Sequence, residues 1–146
     1  MKISTRARYG ARLMFQLALD YGKGLSLLRN IAKEEELSEK YLSLIVIPLK
    51  AQNLIVSGRG AKGGYMLAKP PALITMKEIV EALDGEVSVS ECIGNSKKCG
   101  RFPGCITRDV WKILDEKIQD TLKAITLQDL VDKYNIKKHP SVNYEI

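Results

Sequence analysis

Ser38-Glu39-Lys40-Tyr41-Leu42-Ser43-Leu44-Ile45-Val46-Ile47-Pro48-Leu49-Lys50, closely followed by Leu54-Ile55-Val56-Ser57-Gly58-Arg59-Gly60-Ala61-Lys62-Gly63-Gly64-Tyr65-Met66-Leu67-Ala68, decides the fold of this chain. Ser38 is an N-cap residue, and Leu42, Ile45 and Val46 recur at helical spacing, so a helix runs from 39 to about 52. Pro48 removes one backbone donor and should kink or tighten that helix. Just upstream, Ser26 is placed to cap a helix over 27–35 that turns Leu28, Ile31 and Ala32 inward, and Glu36-Leu37 makes a short turn. Two short helices across a tight turn form a helix-turn-helix, with Ala32, Leu37 and Leu42 at its buried positions. Glu36 stands where such turns often carry glycine. Residues 54–57 and 64–68 read as strands, and the glycine-rich stretch 58–63 between them makes a hairpin. A helix-turn-helix followed by a hairpin is a winged helix.

Upstream, Ala7, Ala11, Met14, Leu17 and Ala18 give residues 5–21 helical spacing, with Leu13 and Phe15 widening the apolar face. Lys2, Arg6, Arg8 and Arg12 crowd the positive end of that helix dipole, so an anionic partner is expected nearby. Downstream, Thr75-Met76-Lys77-Glu78 is a capping box opening a helix through Leu83. Residues 85–104 read as irregular, and long loops of this kind are usually functional or mobile. Over 107–125, Val110, Ile113, Leu114, Ile118, Leu122 and Ile125 recur at mostly three or four residues, with Trp111 alongside, giving an amphipathic helix about 28 Å long. Thr126-Leu127-Gln128-Asp129 is a second capping box, opening a last helix to about Tyr134. The expected class is mainly α with one small β-hairpin. The expected parts are a winged helix-turn-helix (1–84), a cysteine-rich loop (85–105), a dimerisation helix with a C-terminal helix (106–136) and a tail (137–146).

Charge separates the halves. Residues 1–70 carry 12 Lys/Arg against 5 Asp/Glu, a net of +7, and residues 71–146 carry 11 against 12, a net of −1. A localised positive excess suits a phosphate-bearing partner, because neutralising phosphates releases counterions. No apolar run approaches the ~20 residues of a membrane span, and the first residues hold no apolar signal core, so a cytoplasmic, membrane-free protein is expected. No motif supports a nucleophile–base pair, a phosphate loop or a dinucleotide site, so catalysis is not expected. No helix follows the wing glycines, which excludes them as a phosphate cradle.

Two constellations carry chemistry. In the first, the start of the 39–52 helix is expected to lie in the major groove of double-stranded DNA, presenting Ser38, Glu39, Lys40, Tyr41 and Ser43, the alternative being a winged helix used for protein contact without nucleic acid. Arg59, Gly60 and Lys62 belong to the wing, where an arginine suits a narrow minor groove. The second is Cys92, Cys99 and Cys105, all the cysteines of the chain. Three is an odd number, so they cannot form a complete disulfide set within one chain. Clustered thiols in a reducing compartment are metal ligands or redox switches, and Lys97, Lys98 and Arg101 between them favour thiolates. The spacing is wider than that of zinc fingers and leaves open both metal or cluster binding and three unrelated thiols. His139, the only histidine, reads as exposed and without a role.

Met1-Lys2-Ile3-Ser4-Thr5-Arg6-Ala7-Arg8-Tyr9, Ser38-Glu39-Lys40-Tyr41-Leu42, Arg59-Gly60-Ala61-Lys62-Gly63-Gly64-Tyr65, the cysteine loop, Trp111 and Ile125-Thr126-Leu127 together resemble the IscR-like family of bacterial winged-helix regulators. That superfamily also includes NsrR, CymR and RirA. The resemblance spans essentially the whole chain. It implies a homodimer joined by the long helix, two reading heads on a palindromic operator, and an iron–sulfur cluster, most often [2Fe–2S], held by Cys92, Cys99 and Cys105. It implies a transcriptional repressor that senses iron, oxygen, redox state or nitric oxide. CymR-like relatives work without a cluster, which leaves control by a partner protein or by thiol oxidation as the alternative. The chain departs from the family pattern at four points. Its first cysteine interval is one residue longer than usual. Arg108 stands where IscR-like proteins place a histidine, Arg8 where NsrR-like proteins place an acid, and Ser43 where IscR-like proteins carry an acid that tunes site choice. The fourth ligand therefore stays open among Asp109, Glu91, a hydroxyl and the partner chain.

Overall fold

Ser4 opens α1 (Thr5–Leu19) by accepting the Ala7 N–H on its hydroxyl at 2.9 Å. The computed structural model describes residues 2–59, 63–95, 97 and 100–139; Gly60, Lys62 and Cys99 lie outside the described residues. After α1 come α2 (Leu28–Glu35), α3 (Glu39–Ala51), β1 (Ile55–Gly58), β2 (Gly64–Leu67), a 3₁₀ turn (Pro71–Leu73), α4 (Met76–Asp84), α5 (Glu91–Gly94), a second 3₁₀ turn (Phe102–Gly104), α6 (Ile106–Ala124) and α7 (Leu127–Lys138). The expected class, mainly helical with one hairpin, is the observed one.

The core lies in the winged-helix head. α1 buries Ala7, Gly10, Leu13, Met14, Leu17 and Ala18 against α3, α4 and α7. Gly10 sets the closest approach: a β-carbon built there would stand 2.1 Å from Cδ1 of Leu83. α2 adds Ile31 and Ala32, and α3 adds Leu42, Ile45, Val46 and Leu49. Ala32 and Leu42 are buried as the helix-turn-helix pattern requires, and Leu37 is half-buried against the core. Both helices of this unit stop at a non-glycine residue in the left-handed region, Glu36 after α2 (φ 54°) and Asn53 after α3 (φ 57°). At the first, the Leu37 N–H reaches back to the Ala32 carbonyl at 2.8 Å; at the second, Leu54 reaches Leu49 at 3.0 Å. α3 runs through Pro48, which cannot donate to the Leu44 carbonyl one turn earlier.

The crowded arginines find partners inside the chain. Arg6 donates to the Leu83 carbonyl near the end of α4, and Arg8 to the Thr5 hydroxyl. Arg12 bonds the Glu35 carboxylate at 2.7 Å, donates to the Glu35 carbonyl and lies 5.7 Å from the Tyr9 ring centre. Tyr9 in turn meets Tyr41 edge-on, centroids 5.8 Å apart. These contacts tie α1 to the end of α2 and to the first turn of α3.

The hairpin pairs Ile55 with Leu67, Val56 with Met66, Ser57 with Tyr65 and Gly58 with Gly64. Ser26 departs from its expected role. It does not cap α2, whose N-cap is Leu27 with no side-chain bond. Its backbone instead exchanges two hydrogen bonds with Tyr65, at 2.8 and 2.9 Å, adding a one-residue third strand, and its hydroxyl donates to Asp20. A β-carbon on Gly64 would stand 2.4 Å from the Ser26 carbonyl oxygen, so this junction demands glycine.

The expected capping boxes at Thr75–Glu78 and Thr126–Asp129 are both formed. They stand side by side: Thr75 and Thr126 make an antiparallel bridge, the Met76 N–H donates to the Ile125 carbonyl at 2.8 Å, and the Leu127 N–H donates to the Ile74 carbonyl at 3.0 Å. The end of the long helix is thereby stitched to the head. α7 packs back on α1 and runs to Lys138, one turn beyond the expected end, taking in the first two residues assigned to the tail. The stretch 85–104 is less irregular than its glycines suggest, since α5 and a 3₁₀ turn lie within it.

Candidate nucleic-acid interface and cysteine loop

Burial of Leu42, Ile45, Val46 and Leu49 determines which side of α3 is left to meet a partner: Glu39, Lys40, Ser43, Leu44, Ile47 and Lys50 are exposed. The five residues proposed to read DNA fare differently. Ser38 accepts the Tyr41 N–H at 3.2 Å, so its hydroxyl serves as the helix cap. Glu39 and Lys40 project from the first turn and are exposed. Tyr41 is half-buried with its ring against Tyr9, a position that serves packing first. Ser43 is exposed, and its hydroxyl donates to the Lys40 carbonyl at 2.5 Å. In the wing, Arg59 follows β1 directly and is exposed. Gly60 and Lys62 are beyond the described residues. Sequence reasoning passed over three exposed residues of α3. Lys50 bonds the Ser57 hydroxyl of β1 at 2.7 Å and joins α3 to the wing. Leu44 and Ile47 are large aliphatic side chains facing away from the core. A periodic apolar pattern does not reveal these, since it does not say which apolar residues fall outside the buried stripe.

Two of the three cysteines are described. Both are free thiols and partly accessible. Cys92 lies in α5 with its sulfur 3.1 Å from the Ser90 hydroxyl. Cys105 is the N-cap residue of α6, 3.3 Å from the Thr107 hydroxyl. That hydroxyl, the Arg108 N–H and the Arg108 charge hold the Cys105 thiol below its ordinary pKa, which favours the thiolate that a metal or oxidant requires. Arg108 occupies the position of the expected histidine and lies within 3.7 Å of Asp109. Among the described residues, no three His, Cys, Asp or Glu side chains converge as a metal site.

The loop is anchored to the long helix. Asp115 accepts the Val89 N–H at 3.0 Å, and Gln119 donates to the Val87 carbonyl. α6 itself has no fully buried residue. Its apolar positions divide along its length. Ile118 and Leu122 are half-buried, whereas Ile106, Val110, Trp111, Ile113 and Leu114 toward its start are exposed.

The Rrf2 family, described as an iron-dependent transcriptional regulator, matches residues 3–133. This chain belongs to the Rrf2 family. Among Rrf2-like relatives, it is 37% identical over 130 residues to the transcriptional regulator CymR of Bacillus subtilis, covering 89% of each chain. It is 32% identical to IscR of Erwinia tasmaniensis, over 93% of this chain and 82% of the relative. Solved structures agree. CymR, the global cysteine regulator of B. subtilis, superimposes with a TM-score of 0.79 at 35% identity, covering 91% of this chain and 98% of that one. IscR of T. potens does so with 0.75 at 33%, covering 92% and 88%. The Rrf2 assignment makes the protein a winged-helix transcriptional regulator and not an enzyme. No helix among the described residues is long and apolar enough to cross a membrane.

Proposed function

We propose that this Rrf2 regulator binds palindromic double-stranded DNA in the cytoplasm as a homodimer, represses by occupying its operator, and responds to a signal received at its cysteine loop. The observation that carries the sensing part is the continuous connection from loop to head. Asp115 and Gln119 hold the backbone of 87–89 on α6, and the Ile74–Met76 and Ile125–Leu127 hydrogen bonds hold the end of α6 on the winged helix. A change in the loop that favours one setting of α6 thus biases the head. The exposed start of α6 would be covered by the same surface of a second copy, an isologous twofold contact. Two heads would then present α3 to successive major grooves, with Arg59 entering the minor groove beside each. Gly60 and Lys62 complete the wing contact, and Lys40 holds phosphate.

Cys92, Cys99 and Cys105 would hold an iron–sulfur cluster, [2Fe–2S] in this reading. The chemistry of the described donors fits, since both are free, partly accessible thiols and one is biased toward thiolate. Such a cluster supplies sensitivity to iron supply, oxygen, redox state or nitric oxide. The fourth ligand stays open among Asp109, Glu91, a hydroxyl and the partner chain. A second reading, a cluster-free regulator controlled by a partner protein or thiol oxidation, is favoured by the likeness to CymR in both sequence and structure. Iron and sulfide analysis of oxygen-free protein separates the two. DNA affinity with and without the cluster, at fixed salt, then tests the coupling, and equal affinities for every sequence would remove it.

A further inference from the structure

The exposed side of α3 has few polar groups with which to read bases. The Ser38 and Ser43 hydroxyls are engaged with the helix backbone, Tyr41 is drawn against Tyr9, and Lys50 is bonded to Ser57. Glu39 and Lys40 remain. Between Lys40 and Lys50 on the same stripe sit Leu44, 57% exposed, and Ile47, 61% exposed, three residues apart and therefore adjacent on the helix surface. The fold gains little from either side chain. Their setting between two cations matches a duplex, whose major groove carries thymine methyl groups among polar base edges and is flanked by phosphates.

We infer that Leu44 and Ile47 read the 5-methyl groups of thymines in the major groove of each half-site. The methyl is the one apolar mark among major-groove base edges, and aliphatic contact recognises it where hydrogen bonding does not. This rests on the reading above that α3 enters the major groove. It deepens that reading by assigning sequence preference to shape-matched apolar contact, with Glu39 as the polar supplement and Lys40 kept for phosphate.

The test begins with selection of duplexes from a random pool by the full-length protein, which should enrich thymine at fixed, symmetry-related positions. Replacing those thymines by deoxyuridine removes the methyl and keeps the pairing and the O4 acceptor. Each replacement should weaken binding about three- to fivefold at fixed salt, the worth of one buried methyl. A protein carrying Leu44→Ala and Ile47→Ala should bind thymine and deoxyuridine sites alike, while keeping its salt dependence and thermal transition. A parent protein indifferent to deoxyuridine at every position, yet still binding DNA, would overturn this inference and leave DNA binding intact. Absence of salt-dependent binding to any duplex would instead overturn the underlying reading. An unchanged thymine-to-deoxyuridine ratio in the double variant, with altered self-association, would assign the patch to a protein contact and refute the proposal.

Discussion

Replacing Ile113 by alanine should loosen the proposed dimer without disturbing the head. Ile113 is 60% exposed on a helix that has no fully buried residue of its own. Full burial of an isoleucine is worth about 1.5–3 kcal/mol, so covering the exposed share contributes roughly 1–2 kcal/mol per side chain. A twofold contact counts each residue twice, giving roughly 2–4 kcal/mol per dimer, or about thirtyfold to several-hundredfold in the dimer dissociation constant. Sedimentation velocity across a concentration series reads that shift directly. The thermal unfolding of the head should stay close to that of the parent, because Ile113 lies outside the core cluster. Self-association equal to the parent's in Ile113→Ala, or a parent that stays monomeric throughout the series, would refute the reasoning.

Arg59→Ala should weaken specific DNA binding by about 1–3 kcal/mol, measured at fixed salt by fluorescence anisotropy, with an unchanged melting temperature since the side chain is exposed. Gly10→Ala should destabilise the head by up to about 2 kcal/mol in urea unfolding. The clash with buried Leu83 costs about 1–3 kcal/mol, and the gain in helix propensity offsets up to about 1. Leu83→Ala should relieve part of that loss in a double-mutant cycle. Glu78 is pulled two ways: partial burial raises its pKa, but hydrogen bonds from Lys69 (2.9 Å) and the Thr75 backbone outweigh this and leave it below the ordinary carboxylate value. The ionised form therefore stabilises the fold at neutral pH, and that contribution is lost as pH falls through the lowered pKa. Glutamine at this position can still complete a capping box. Glu78→Gln should then melt slightly lower than the parent near neutrality, by under about 1 kcal/mol for so exposed a pair, and the gap should close in acid.

What the sequence by itself determined is local. The caps at Ser38, Thr75 and Thr126 each join a side chain to a backbone group three residues away, so residue type and spacing pointed to those helix starts. The order helix-turn-helix then glycine-rich hairpin was legible for the same reason, and so was the gathering of positive charge in the first half. The tertiary structure decided whatever depends on residues far apart in the chain. Ser26 looks like a cap, but Tyr65, thirty-nine positions later, draws its backbone into the sheet. The helix 106–124 shows one apolar pattern along its length, yet the head half-buries Ile118 and Leu122 in its later turns while Ile106, Val110, Trp111, Ile113 and Leu114 toward its start stay exposed. Leu44 and Ile47 carry the same apolar signal as Leu42 and Ile45, and only the packing of α3 separates the pair that stabilises the core from the pair turned outward. Periodicity records that a residue is apolar; whether it is covered depends on which surfaces the rest of the chain brings against it.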